Sequence, residues 1–244
     1  MRVLSASELL DVWEQGVMVP PVQRALTLLA CACPELSPEE LAHLSIGARD
    51  AHLLALRERV FGPQLLALAD CPNCSGRVEV QLSVADIRVT PAIDPAEVFA
   101  LNVDSYHVQF RLPNSLDVHA IADDLDLTAA RQKLLDRCIV TAERNGATQP
   151  AGALPAVVVE AIAARMAEAD PQADVQLRLS CPVCDCQWQS AFDTAEFFWS
   201  EINAWAGRVL RDVHTLALAY GWREGDILAL RPWRRQAYLQ MVGG

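Results

Sequence analysis

The sequence predicts an α+β protein, with helical N- and C-terminal segments around a ribbon-like β unit that is split by an inserted α/β subdomain. Three observations carry this expectation. Apolar residues recur at helical spacing through residues 5–68, and from Val78 the period changes to strict alternation. The pattern Cys-Pro-x-Cys occurs twice, as "CPNC" at 71–74 and "CPVC" at 181–184, each followed by a strand-like run. Near the end, Phe198, Ile202, Trp205, Val209, Val213, Leu216 and Tyr220 recur every three or four residues, an amphipathic helix.

The N-terminal helical segment spans 1–68. Ser7 is placed to cap "ELLDVWEQ", Gly16 to end it, and Pro20–Pro21 to start the next helix. Ser37 and Pro38 open a third helix, and "RDAHLLALRERVFG" continues to Gly62. Residues 69–88 form the first Cys pair and its strand, in which Val78, Val80, Leu82 and Val84 alternate with polar residues. Gly76 is the residue expected to supply a positive φ on leaving the turn.

The inserted subdomain spans 89–173. It opens with the Pro- and Asp-rich loop "RVTPAIDPAEV". "YHVQFRL" (106–112) then forms a strand with Tyr106, Val108, Phe110 and Leu112 on one face. "NSLDVHAIADD" opens a helix with Ser115 in a capping role. A longer helix runs from about Thr128 to Asn145, stopped by Gly146, and "AVVVEAIAARMAEA" supplies another. Residues 174–193 hold the returning strand (Val175, Leu177, Leu179) and the second Cys pair. The C-terminal helical module, 194–244, starts at the capping pair Asp193 and Glu196. It breaks at Gly221 and resumes as a last helix at Pro232.

The net charge of −11 is unevenly spread: residues 201–244 carry +2 and the first 200 carry −13. Such a balance argues against phosphate-driven nucleic-acid binding. No run reaches the ~20 apolar residues of a membrane span. "LLAC" (28–31) resembles a lipoprotein signal, yet Asp11, Glu14 and Arg24 precede it where an apolar or basic leader would stand. A cytoplasmic protein is expected, and its eight cysteines then need a reason other than disulfides.

Cys71, Cys74, Cys181 and Cys184 have the spacing of two zinc knuckles. Two thiolates three positions apart grip one Zn²⁺, and tetrahedral closure needs two such pairs. Pro72 and Pro182 fix φ just after each first cysteine. The expected cofactor is therefore structural Zn²⁺, held in a zinc ribbon whose two halves are separated by the insertion. Three other readings stay open: two redox pairs, unliganded cysteines, or another metal such as an iron–sulfur cluster. A redox pair normally sits at a helix N-terminus, whereas strands follow both pairs here. Cys186 is a spare thiol beside the site and could substitute for Cys184, while Cys31, Cys33 and Cys138 lie in apolar helical settings and read as core.

Catalytic signatures are missing. The chain has no phosphate-binding glycine loop, no G-x-S-x-G and no H-E-x-x-H, and its five histidines are scattered. Asp123, Asp124 and Asp126 read as a solvated helix end. "YGWREGDILALRPWRRQAYL" (220–239) has the outline of a helix-turn-helix, but its aromatics favour a protein-binding module. A zinc-ribbon/helix-turn-helix transcription regulator and a thiol oxidoreductase remain as alternatives of other classes.

Several segments together carry a family resemblance: "LLALRERVFGPQL", "CPNC" with its strand, "FRLPNSLDVHAIA", "LLDRCIVTAERNG", the second knuckle, and the block from "FFWSEINAW" to "RPWRRQAYLQMV". The chain resembles the baseplate hub assembly chaperone family of T-even-type phages, in the form found among bacterial contractile injection system genes. The resemblance implies a protein that is not an enzyme and has no catalytic residues. It would bind baseplate or tail proteins of a contractile particle during assembly, or else remain in that particle as a permanent structural subunit. Aromatic residues of the C-terminal module, Trp199, Trp222 and Trp233, are the expected partner contacts.

Overall fold

The computed structural model describes residues 1–89 and 97–243. The middle of the expected Pro- and Asp-rich loop, 90–96, lies outside the described residues. In chain order the elements are α1 (Ala6–Gly16), α2 (Pro21–Ala32), α3 (Pro38–His43), α4 (Ile46–Phe61), β1 (Gln64–Asp70), β2 (Arg77–Ser83) and α5 (Val84–Ile87). They continue with β3 (Phe99–Val103), β4 (Tyr106–Phe110), α6 (Ser115–Ile121), α7 (Leu127–Cys138), β5 (Ile139–Arg144), β6 (Ala147–Thr148) and α8 (Ala156–Ala169). The last are β7 (Gln176–Ser180), β8 (Gln187–Ala191), α9 (Thr194–Tyr220), α10 (Glu224–Leu228) and α11 (Pro232–Gly243). Mixed helix and sheet make this an α+β protein, as its periodicities predict.

The chain divides into two compact units, Met1–Glu35 with Thr194–Gly244, and Leu36–Asp193. The first is helical. Ser5, not Ser7, caps α1, because Glu8 three residues on returns its carboxylate to the Ser5 backbone N–H. Leu10, Ala206 and Val209 form one buried cluster, against which Trp13, Trp205, Val213 and Leu228 pack. The 27-residue α9 ends where Gly221 takes φ +66°. Tyr220, Trp222 and Tyr238 then meet ring on ring, with centroids 4.7–5.8 Å apart, and fasten α11 to the end of α9. Arg235 adds an ion pair to Asp212 at 3.3 Å.

The second unit contains two hairpins and a four-stranded sheet. β1 pairs antiparallel with β2, and β7 with β8. Residues 64–70 are thus a strand and not a continuation of the N-terminal helices. The inserted sheet has the order β3-β4-β5-β6. Val108 and Phe110 of β4 and Ala142 of β5 face Leu135 of α7 and Val158 and Ile162 of α8 across a buried core. The helix expected from Thr128 to Asn145 stops at Cys138, and 139–144 cross the sheet as β5. Ile139, Val140 and Thr141 are β-branched, and pairing with β4 decides their conformation. Gly146 does take φ +81°, but at the turn from β5 to β6.

Asn114, not Ser115, caps α6, its side chain accepting from the N–H groups of Leu116 and Asp117. Ser115 is fully buried, and its hydroxyl has no partner. Asp117, also fully buried, receives both Arg111 Nη atoms (2.5 and 2.9 Å) and Arg137 Nε (2.8 Å). This node joins the end of β4, the first turn of α6 and the last turn of α7. Burial alone would raise the Asp117 carboxyl, but the two guanidinium groups and the Asn114 backbone N–H hold it below the usual carboxylate range.

Candidate metal centre

Each Cys-Pro-x-Cys lies at the tip of a hairpin, and the two tips have the same backbone. The N–H of Ser75 bonds to the carbonyl of Cys71 (2.8 Å), and the N–H of Cys71 to the carbonyl of Gly76 (2.9 Å). Asp185 to Cys181 (3.0 Å) and Cys181 to Cys186 (2.9 Å) repeat the pattern. Positive φ falls on the residue after each second cysteine, Ser75 and Asp185, both at 55°, and not on Gly76 as expected. Small polar residues tolerate this left-handed position through local hydrogen bonding. Gly76 has a different reason: a Cβ there would stand 3.2 Å from Cys74 Sγ. Cys186 occupies the matching place in the second tip.

The tips bring four sulfurs together. Cys71 Sγ lies 3.6 Å from Cys184 Sγ, and Cys74 Sγ lies 3.6 Å from Cys181 Sγ. All four sulfurs are within 4.8 Å of one another. A metal bound tetrahedrally at ~2.3 Å spaces its sulfurs by about 3.8 Å, so the cluster has the size such an ion requires. Both 3.6 Å approaches run between the motifs, and all four thiols are free. That arrangement fits one shared site better than two redox pairs, and neither motif opens a helix.

Local dipoles draw two of the sulfurs, Cys71 and Cys184, toward the anion. The backbone N–H of Cys74, with that of Asn73, pulls the Cys71 thiol down to about 6. The Asn73 side chain and the Cys186 N–H draw Cys184 down as well. Val183 N–H points at Cys181 Sγ from 3.4 Å. Cys74 goes the other way: the Gly76 N–H favours its thiolate, yet the adjoining Cys184 and Cys181 sulfurs push it up to about 12. Four thiolates this close repel one another, and a cation among them removes the conflict. The donors fit a soft divalent metal, and Cys71, Cys74, Cys181 and Cys184 can hold one.

The other expected site residues are dispersed. Cys138 is buried, and burial pushes its thiol up to about 12, consistent with a core role. Trp199 is not a surface contact: only 7% of it is exposed. Its indole lies where a Cβ on Gly16 would come within 2.1 Å, and the Arg24 guanidinium covers it at 4.9 Å. Trp222 is half-buried in the aromatic trio with Tyr220 and Tyr238. Trp233 alone of the three stands in solvent, 85% exposed.

A four-cysteine clip on an α+β scaffold is the class that fold and site define. The chain belongs to the T4 bacteriophage base plate protein family, whose model matches residues 22–199. No curated protein and no solved structure matches it. Among the described residues, no helix is long and apolar enough to cross a membrane.

Proposed function

We propose that this chain is a zinc-stabilised, non-enzymatic assembly factor. It binds baseplate or hub subunits in the cytoplasm while a phage-tail-like contractile injection particle is built. Membership of a base plate family supports the setting. The observation that carries the rest is the four-sulfur cluster. Zn²⁺ held by all four thiolates has no position left for water or substrate, so it supplies structure and not catalysis.

Two measurements test this reading. Elemental analysis of freshly purified, reduced protein should find one zinc per chain, and a metal-free protein with the same fold overturns the cofactor. Finished particles should lack the chain, while a co-expressed baseplate subunit should co-purify with it before assembly. Stoichiometric presence in finished particles would instead make it a permanent subunit. Specific, salt-steep binding to an operator-like duplex would favour the regulator.

A further inference from the structure

Two exposed patches on this chain complement each other in both charge and shape. The first is the outer face of α11. Arg235 and Tyr238 turn inward and fasten the helix, which leaves Trp233 (85% exposed), half-buried Ala237 and Met241 (70% exposed) on one outer row. Their i, i+4, i+8 spacing makes a ridge about 12 Å long. Small Ala237 between the two large residues forms a notch in it. Arg231 and Arg234 flank the ridge without an ion-pair partner among the described residues, and α11 itself contains no acidic side chain.

The second patch is the turn from α6 to α7, Asp123-Asp124-Leu125-Asp126-Leu127. Leu125 is fully exposed and Leu127 is 84% exposed, an unusual placement for two large apolar side chains in one short turn. Asp124 is neutralised by Lys133 at 2.6 Å, and Asp126 caps α7 through the Thr128 N–H at 2.8 Å. Asp123 has no partner among the described residues. Its charge precedes Leu125, and Asp126 stands between the two leucines.

We propose that copies of this chain associate head-to-tail, the acidic-apolar turn 123–127 of one seated on the basic-apolar ridge of α11 of the next. Leucines two positions apart reach about 7 Å, within the length of the ridge. Aspartates beside them meet Arg231 and Arg234. The first 200 residues carry −13 while residues 201–244 carry +2, so this face offers an acidic turn an attraction that the acidic bulk of the chain does not. A foreign partner is not needed to explain either patch, because both halves of the match are present on one molecule. Nucleic acid fits the ridge poorly: two free arginines on a chain of net −11 offer few phosphate contacts, and Trp233 and Met241 offer none.

The contact joins two different patches, so it is heterologous, and it builds rings or open chains, not closed twofold dimers. Two or three anchors a side fall short of the roughly 800 Å² per partner of a stable interface, which makes the association micromolar and salt-sensitive. This inference is independent of the assembly role proposed above, and purified protein tests it alone. In sedimentation velocity at low salt, the mass should rise above the 26.7 kDa monomer with concentration and return to it in high salt. Trp233→Ala and Leu125→Ser should each weaken association at least tenfold while circular dichroism stays unchanged. A mixture of these two variants should form 1:1 dimers and nothing larger, since each keeps the half that the other lacks. Monomeric wild type at about 100 µM in low salt, or self-association of either variant as strong as that of the wild type, would overturn the proposal. So would a mixture that fails to dimerise. Binding of Trp233 to anionic vesicles by otherwise monomeric protein would assign the ridge to a membrane surface instead.

Discussion

The helical unit and the two Cys hairpins solve the same problem with different means. In the helical unit Leu9, Leu28, Leu29, Phe198 and Ile202 are almost completely buried, so α1, α2 and α9 carry a core of their own. In the hairpins, Leu65 is the only buried residue of β1, β2, β7 and β8; the remaining inward side chains stay half-exposed. Two-stranded ribbons of this size are marginal in water. Four sulfurs converging on one point replace the core that the ribbons lack. Burial therefore organises one region, and four converging sulfurs that can hold a metal mark the other.

Metal removal should break the comparison most visibly. Cys181→Ser, or chelation of the wild type, should abolish metal binding and release both hairpins. Structural zinc supplies ~10–16 kcal/mol in small peptides, and less is expected here, where neighbouring elements have their own packing. Trp188 reports the change because it is the single tryptophan of the second unit and lies opposite Leu179 in the β7–β8 ladder. Its fluorescence should shift to that of exposed indole while most helical dichroism persists. Protected hairpin amides after chelation would mean that the ribbons hold without an ion, and the contrast would fail.

The converse experiment is Trp199→Ala, which should cost about 3–5 kcal/mol and leave the metal in place. Loss of the indole empties the space beside Gly16 and removes the ring that Arg24 covers. Chemical denaturation with metal analysis on the same samples reads both. A variant as stable as the wild type would show that Trp199 is not part of the core that holds the helical unit.

What the sequence makes legible follows from the range of each interaction. Cysteine knuckles can be read because their spacing is local and thiolate chemistry tolerates few substitutes. Strand β1 could not be, because "QLLALAD" has the composition of a helix, and only pairing with β2 makes it extended. Similarly, the stripe through Leu134, Cys138 and Ala142 suits a helix until β4 captures residues 139–144. Ser5 was legible in principle, since Ser5-x-x-Glu8 is a capping box. Nothing local joins Arg111 and Arg137 to Asp117, because their positions depend on the fold that they help to close.

That node gives a third, smaller effect, and it belongs to neither region's main device. Asp117→Asn should destabilise the inserted sheet by about 3 kcal/mol, because it leaves two guanidinium groups short of their shared counter-ion. Zinc should remain bound. Since the folded pKa is depressed, this stability is present above the usual aspartate pKa and is lost as pH falls further below about 4. An unfolding curve at neutral pH identical to that of the wild type would show the node to be dispensable.

The smallest effect has the opposite sign and a different pH window. Asp50 of α4 is buried beside Arg49, whose Nε reaches Asp50 Oδ1 at 2.8 Å. Burial pushes its carboxyl up to about 6, against the attraction of Arg49, and the charges of Asp193 and Asp170 add to the rise. Arg49, Asp50 and Asp193 line, with Asp174, a cavity of about 220 Å³. A raised folded pKa means that the folded protein binds this proton more tightly than the unfolded chain does. Stability from this group is therefore greatest below about pH 4 and declines between about 4 and 6, by at most ~3 kcal/mol for a shift of this size. Asp50→Asn cannot ionise, so the gap in unfolding free energy between variant and wild type should move in the variant's favour over that window. Arg49 loses its counter-ion at every pH, so the change in the gap, not its absolute size, isolates the titration. Equilibrium unfolding at half-unit steps from pH 4 to 7.5 measures it. A gap that stays constant would mean that Asp50 titrates like a solvated carboxylate despite its burial beside Arg49.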